Sequence, residues 1–169
     1  MKKSIDILWA PWRMAYIKQN DKKRGCFLCS AIKSRNDKKN FILYRGKNAF
    51  VIINTFPYNN GHLMIVPTRH TASIEGIKEE EERELFFLLK SSVKIIKKVM
   101  RPTGFNIGIN LGEIAGAGVA GHLHFHIVPR WKGDTNFMPV ISSSKVICQS
   151  LEELYDLLYP EFKELRRCT

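Results

Sequence analysis

The chain has 169 residues, with 27 lysines and arginines against 16 acidic residues and a formal charge of +11, which suits one domain with a sizeable core and an anionic partner: a nucleotide, a nucleic acid or an acidic surface. No apolar run reaches membrane-spanning length, and Asp6 and Arg13 interrupt the short apolar stretch behind Lys2 and Lys3, so no membrane span or secretory signal is expected and the location is read as cytoplasmic. In that setting four cysteines argue against a disulfide framework and make metal or redox chemistry the better question.

Residues 7–16 gather Trp9, Trp12 and Tyr16 with Pro11 and Arg13, an aromatic and basic cluster that packs as an N-terminal arm or lines a nucleotide site, packing being the preferred reading. Residues 21–40 are polar and basic around Cys26-Phe27-Leu28-Cys29, which places them in a loop or short helix over the core. Ala49 to Asn54 and His62 to Val66 are short apolar runs separated by Pro57, Asn59, Asn60 and Gly61, the pattern of two strands joined by a longer hairpin loop. From Lys78 to Met100, Leu85, Leu88, Leu89, Ser92, Ile96 and Val99 recur at helical spacing, with Phe86 and Val93 widening the stripe. Acids at 79–82 and lysines at 94, 97 and 98 suit the two ends of this one long helix.

Arg101-Pro102-Thr103-Gly104 breaks the helix, and Phe105 to Asn110 reads as a further strand. A glycine-rich connection, Gly112 to Gly121, leads into Gly-His-Leu-His-Phe-His-Ile-Val-Pro. There His122, His124 and His126 alternate with Leu123, Phe125 and Ile127, so a strand from His122 to Val128 puts three imidazoles on one face, with Pro129 ending it. Lys145 to Cys148 reads as a last short strand and Leu151 to Leu165 as a short amphipathic helix. The expected fold class is α+β, a mostly antiparallel sheet with one principal helix packed on it. The expected organisation is a single domain over residues 1–169, with an N-terminal arm at 1–20 and a C-terminal extension at 140–169.

Imidazole serves as nucleophile, proton carrier, hydrogen-bond donor to phosphate or metal ligand, and a row of three lets these roles be divided. The glycine-rich loop permits close backbone approach, and its amides suit an anion-binding concavity. Cys26-x-x-Cys29 alone is ambiguous among zinc, redox chemistry and chance.

The segment Gly121 to Pro129 resembles the His-x-His-x-His signature of the histidine triad family. Asn59-Asn60-Gly61-His62-Leu63-Met64-Ile65-Val66-Pro67-Thr68-Arg69-His70 resembles the family's other characteristic strand. By motif order the resemblance covers residues 26 to 130; Trp9-Ala10-Pro11-Trp12-Arg13 and the stretch from Asn110 to Trp131 resemble the bacterial diadenosine tetraphosphate phosphorylase-like branch. The resemblance implies cleavage of dinucleoside polyphosphates by phosphorolysis or hydrolysis. His124 would attack an α-phosphorus to give a nucleotidyl-histidine, which water or inorganic phosphate resolves. His126 would hydrogen-bond phosphate or leaving-group oxygens, and His62 would support the phosphate site and the nucleophile. Asn54 would contact the ribose, while Asn110 and the backbone of Gly116, Ala117 and Gly118 would hold the other phosphates; near Gly118 related enzymes often carry Gln or Ser.

The resemblance also implies a structural zinc ion, a tetrahedral site in which His70 and His122 join Cys26 and Cys29. Many family members are dimers, so a homodimer is expected. Two alternatives stand beside the leading one: a nucleoside phosphoramidate hydrolase preferring small amine leaving groups, and a non-catalytic nucleotide-binding protein. Nucleic acid is the less favoured partner because no recognisable nucleic-acid motif is present.

Overall fold

The computed structural model describes residues 25–135, 147 and 149–165. The chain divides into two units, residues 25–134 with 147–169 and residues 1–24 with 135–146. Apart from Thr135, the second unit lies outside the described residues. So do the aromatic cluster at 7–16, Cys148, Cys168 and all but residue 147 of the strand expected at 145–148.

Within the first unit the order is α1 (Phe27–Lys33), β1 (Ile42–Arg45), β2 (Ala49–Ile53), β3 (Leu63–Pro67), α2 (Glu79–Met100), β4 (Gly104–Ile109), β5 (Phe125–Arg130) and α3 (Leu151–Leu165). The strands form one sheet in the order β1-β2-β3-β5-β4, and every neighbouring pair is antiparallel. The α+β expectation therefore holds. Strand β1 adds a pairing that the patterning did not single out, because four residues flanked by basic and turn-forming neighbours carry little periodicity.

Both faces of the central strands are covered, which explains why β2 and β3 read as unbroken apolar runs rather than as alternation. One face, with Leu43, Val51, Ile53, Leu63, Ile65 and Ile127, packs against Leu85, Leu88 and Ile96 of α2 and Leu154, Leu158 and Phe162 of α3. The other face, with Ile42, Phe50, Ile52, Met64 and Val66, packs against Leu28 and Ala31 of α1. His126 stands opposite Met64 on β3 and Gly108 on β4, so it lies on the α1 face, away from the two long helices.

The ends of these elements are fixed by identifiable groups. Arg45 donates from Nη1 to the Ile32 carbonyl (2.5 Å), from Nη2 to that of Ser34 (2.5 Å) and from Nε to Asp37 (2.6 Å). It thereby satisfies the Ile32 carbonyl in the last turn of α1 and that of the capping Ser34, and ties this short helix to β1. At the start of α2, Glu81 accepts the Lys78 backbone N–H (2.9 Å). The same carboxylate accepts from Arg69 Nε and Nη2 at 2.8 Å each, binding the β3–α2 connection to the helix.

The histidine strand differs from the expectation at both ends. Strand β5 begins at Phe125, so His122 and His124 lie in the approach to the strand rather than within it, and it runs through Pro129 to Arg130. Proline is tolerated because the Pro129 carbonyl turns away from β4 and accepts from Asn59 Nδ2 (2.9 Å). The N and C=O of a strand residue point the same way, so the missing N–H costs β4 no ladder bond.

Candidate functional site

Four of the five histidines are buried: His62, His122, His124 and His126. They fall into two groups, and their hydrogen bonds assign each ring a tautomer. His124 Nδ1 lies 2.8 Å from the His122 carbonyl oxygen. A carbonyl only accepts, so Nδ1 carries the hydrogen and Nε2 is left as the lone-pair nitrogen. Burial pushes the His124 pKa down, partly offset by that backbone bond, which keeps the ring neutral near pH 7. A buried, neutral imidazole with Nε2 unprotonated is the state a nucleophile requires.

A second chain of bonds runs behind it. The Tyr58 backbone N–H donates to His62 Nδ1 (3.0 Å), so His62 bears its hydrogen on Nε2, and that hydrogen points to His126 Nδ1 at 2.9 Å. With Nδ1 accepting, the neutral His126 ring carries its own hydrogen on Nε2. The Asn54 amide, oriented by accepting Phe56 N–H at Oδ1 (2.9 Å), adds a contact from Nδ2 to His62 Nδ1 (3.3 Å). The rings of His124 and His126 meet edge to face with centroids 4.8 Å apart, and the Tyr58 ring tilts over His62 at 4.7 Å.

His122 faces the other way. Its Nε2 donates to the Pro67 carbonyl (2.9 Å), which leaves Nδ1 as its lone-pair nitrogen. That atom lies 3.3 Å from Cys26 Sγ, 3.5 Å from Cys29 Sγ and 3.3 Å from His70 Nδ1, while Cys29 Sγ is 3.2 Å from His70 Nδ1. All four donor atoms lie within 4.8 Å of one another. A tetrahedron with metal–ligand distances of about 2.0–2.3 Å has edges of roughly 3.3–3.8 Å, which the four separations of 3.2–3.5 Å approach, so the donors could close on a single cation. Three segments supply the donors: the start of α1, the connection after β3 and the approach to β5. Burial and the neighbouring Cys26 thiol push the Cys29 thiol up, and a bound cation would reverse that by favouring the thiolate. Cys26, Cys29, His70 and His122 could thus hold a metal ion, with the Pro67 carbonyl orienting one ligand from behind.

The glycine-rich loop is closed on itself. Gly116 N–H donates to Glu113 O (2.8 Å), Ala117 N–H to Gly112 O (3.1 Å) and Asn110 Nδ2 to Gly116 O (3.3 Å). As the loop stands, two of the amides expected to cradle phosphate are engaged in its own turns. Sequence reasoning missed the Tyr58 amide that sets the His62 tautomer, because a backbone group leaves no trace in residue identity. It also missed Asn59 and Asp134, which brace the β2–β3 connection that carries Tyr58.

The HIT domain family model matches residues 35–133. An AP-4-A phosphorylase from Mycobacterium tuberculosis is 40% identical over 165 residues, covering 94% of this chain and 85% of that protein. Among solved structures, a hypothetical histidine triad nucleotide-binding protein from Sulfolobus tokodaii superposes with a TM-score of 0.67 at 26% identity, over 84% of this chain and 95% of that one. A Zn-bound histidine triad family protein from Mycobacterium smegmatis shares the fold, with a TM-score of 0.66 at 22% identity over 86% and 98% of the two chains.

Proposed function

The chain belongs to the HIT domain family, and from that premise we propose that it cleaves dinucleoside polyphosphates, diadenosine tetraphosphate in particular, through a nucleotidyl intermediate on His124. The observation that carries the reading is the 2.8 Å bond from His124 Nδ1 to the His122 carbonyl, which presents Nε2 as a neutral nucleophile. Nε2 attacks the α-phosphorus, a P–N bond forms, and the P–O bond to the departing nucleotide breaks. Water or inorganic phosphate then attacks the same phosphorus and releases His124.

His126 Nε2–H serves as donor to the phosphoryl or leaving-group oxygen, and His62 holds His126 in that tautomer through the 2.9 Å bond. Asn54 is the candidate ribose contact. Asn110 and the Gly116-Ala117-Gly118 backbone are the candidate contacts to the remaining phosphates, which requires the loop to exchange its internal bonds for bonds to substrate. The cation that suits two thiolates and two imidazoles is zinc; Cys26, Cys29, His70 and His122 would hold it, and it would supply a structural tie among the three segments that carry them. The same proposal includes a homodimer in the cytoplasm. Among the described residues no helix is long and apolar enough to cross a membrane.

The test is product analysis with diadenosine tetraphosphate. ADP plus ATP formed only when inorganic phosphate is present identifies phosphorolysis, whereas AMP plus ATP, or two ADP, without phosphate identifies hydrolysis. No turnover under either condition, with cleavage of a nucleoside phosphoramidate instead, would overturn the substrate assignment.

A further inference from the structure

The connection between β2 and β3 holds the Tyr58 amide against His62, and the bond that closes it on the sheet side runs from the Asn54 N–H to the His62 carbonyl (2.9 Å), short of Tyr58 and Asn59. The β3–β5 ladder ends at Leu63 opposite Ile127. Two residues further out the ladder would pair Gly61 with Pro129, but Gly61 is left-handed (φ +74°) and Pro129 has no N–H to give. A side chain fills this place. Asn59, 6% exposed, donates from Nδ2 to the Pro129 carbonyl at 2.9 Å and to Asp134 Oδ2 at 2.8 Å. The Asp134 side chain is 8% exposed and also accepts from Arg130 Nε (2.6 Å) and Nη2 (2.9 Å) and from Trp131 N–H (3.1 Å).

Two points of the histidine relay are thereby fastened together. Asn59 follows Tyr58, whose N–H sets the His62 tautomer, and Pro129 lies three positions after His126 on β5. We infer that Asn59 and Asp134 form a clamp that positions the His62–His126 pair and holds both rings as Nε2–H tautomers, making them positioning residues for the step at His124. Shifting the Tyr58 amide would leave His62 Nδ1 with the longer 3.3 Å contact from Asn54 Nδ2 in place of its 3.0 Å backbone donor, so the preference for a hydrogen on Nε2 would weaken and His126 would be held less firmly with Nε2–H forward. The catalytic half of this inference rests on the proposed reaction, while the tautomer half does not.

The test combines imidazole nitrogen NMR with kinetics. In the unsubstituted chain His62 and His126 show single Nε2–H tautomers. In Asn59→Ala those signals shift toward a tautomer average. In that variant kcat falls about tenfold or more with KM within about twofold, the size of loss typical when a supporting hydrogen-bond partner is removed. Asp134→Asn, which preserves volume, shows the same changes more weakly and serves if Asn59→Ala does not fold. Ile96→Val, a core truncation in α2, lowers the melting temperature without moving the imidazole signals or kcat. The inference is overturned if the Asn59 and Asp134 variants keep the parental tautomers, or lose activity only in proportion to lost folding as the core variant does. Failure of the unsubstituted chain to cleave any dinucleoside polyphosphate would sink the proposed function, and the nitrogen signals of Asn59→Ala would still decide the clamp.

Discussion

Replacing Glu81 by Gln tests how the connection that carries His70 is secured. Glu81 is 4% exposed, and its carboxylate accepts two bonds from Arg69 and one from the Lys78 amide. The Arg69 bonds, foremost, hold its pKa at about 2 against an ordinary 4.5. A depressed carboxylate contributes stability that is complete above the unfolded value and is lost as pH falls through the folded one. The window is therefore pH 4.5 down to 2. That difference corresponds to roughly 3 kcal/mol, an upper figure because solvent reaches the Arg69 side of the pair. About 2 kcal/mol of it is gone by pH 3. Urea unfolding at pH 7 should place Glu81→Gln about 2–3 kcal/mol below the parent, and at pH 3 the two should differ by only about 1 kcal/mol. A gap unchanged between the two pH values would refute the ion-pair argument.

Three further perturbations probe separate parts of the account. Cys26→Ser should lose most of the bound zinc measured by elemental analysis, and a metal content equal to that of the parent would remove Cys26 from the ligand set. Gly61→Ala should destabilise by more than about 1 kcal/mol. It forces a left-handed residue at φ +74° and puts a methyl 2.9 Å from Met100 Sδ. Unfolding midpoints matching the parent's would show that the loop relaxes freely. Ser92 is fully buried in α2, and among the described residues its hydroxyl has no partner. Ser92→Ala should therefore be neutral or up to about 1 kcal/mol stabilising, and a clear loss of stability by calorimetry would reveal a bond that the fold conceals.

Much of this fold was legible because its signals are local. The 22-residue helix α2 carries a stripe at helical spacing between an acidic start and a lysine-rich end, and it forms where the pattern puts it. The paired runs around Gly61 became β2 and β3 within one residue of their expected ends. Pro129 misled because proline's penalty depends on which side of the strand loses a donor, a tertiary fact. Alternation put His122, His124 and His126 on one strand face, whereas β5 begins at Phe125 and the three rings divide between two groups. Hydrogen bonds to the Pro67 and His122 carbonyls turn one lone pair toward the cysteines and leave another at His124 Nε2. Likewise, Asn59 and Asp134 stand 75 positions apart, and no periodicity links a loop amide to a carboxylate beyond the end of β5.

The central claim is that phosphorus is transferred to His124. The most direct measurement is rapid quenching of the protein with diadenosine tetraphosphate, followed by alkaline peptide mass spectrometry. An acid-labile nucleoside monophosphate adduct is expected on His124, absent in His124→Ala. Cleavage of the substrate with no adduct at any time, or with an adduct retained in His124→Ala, would contradict it.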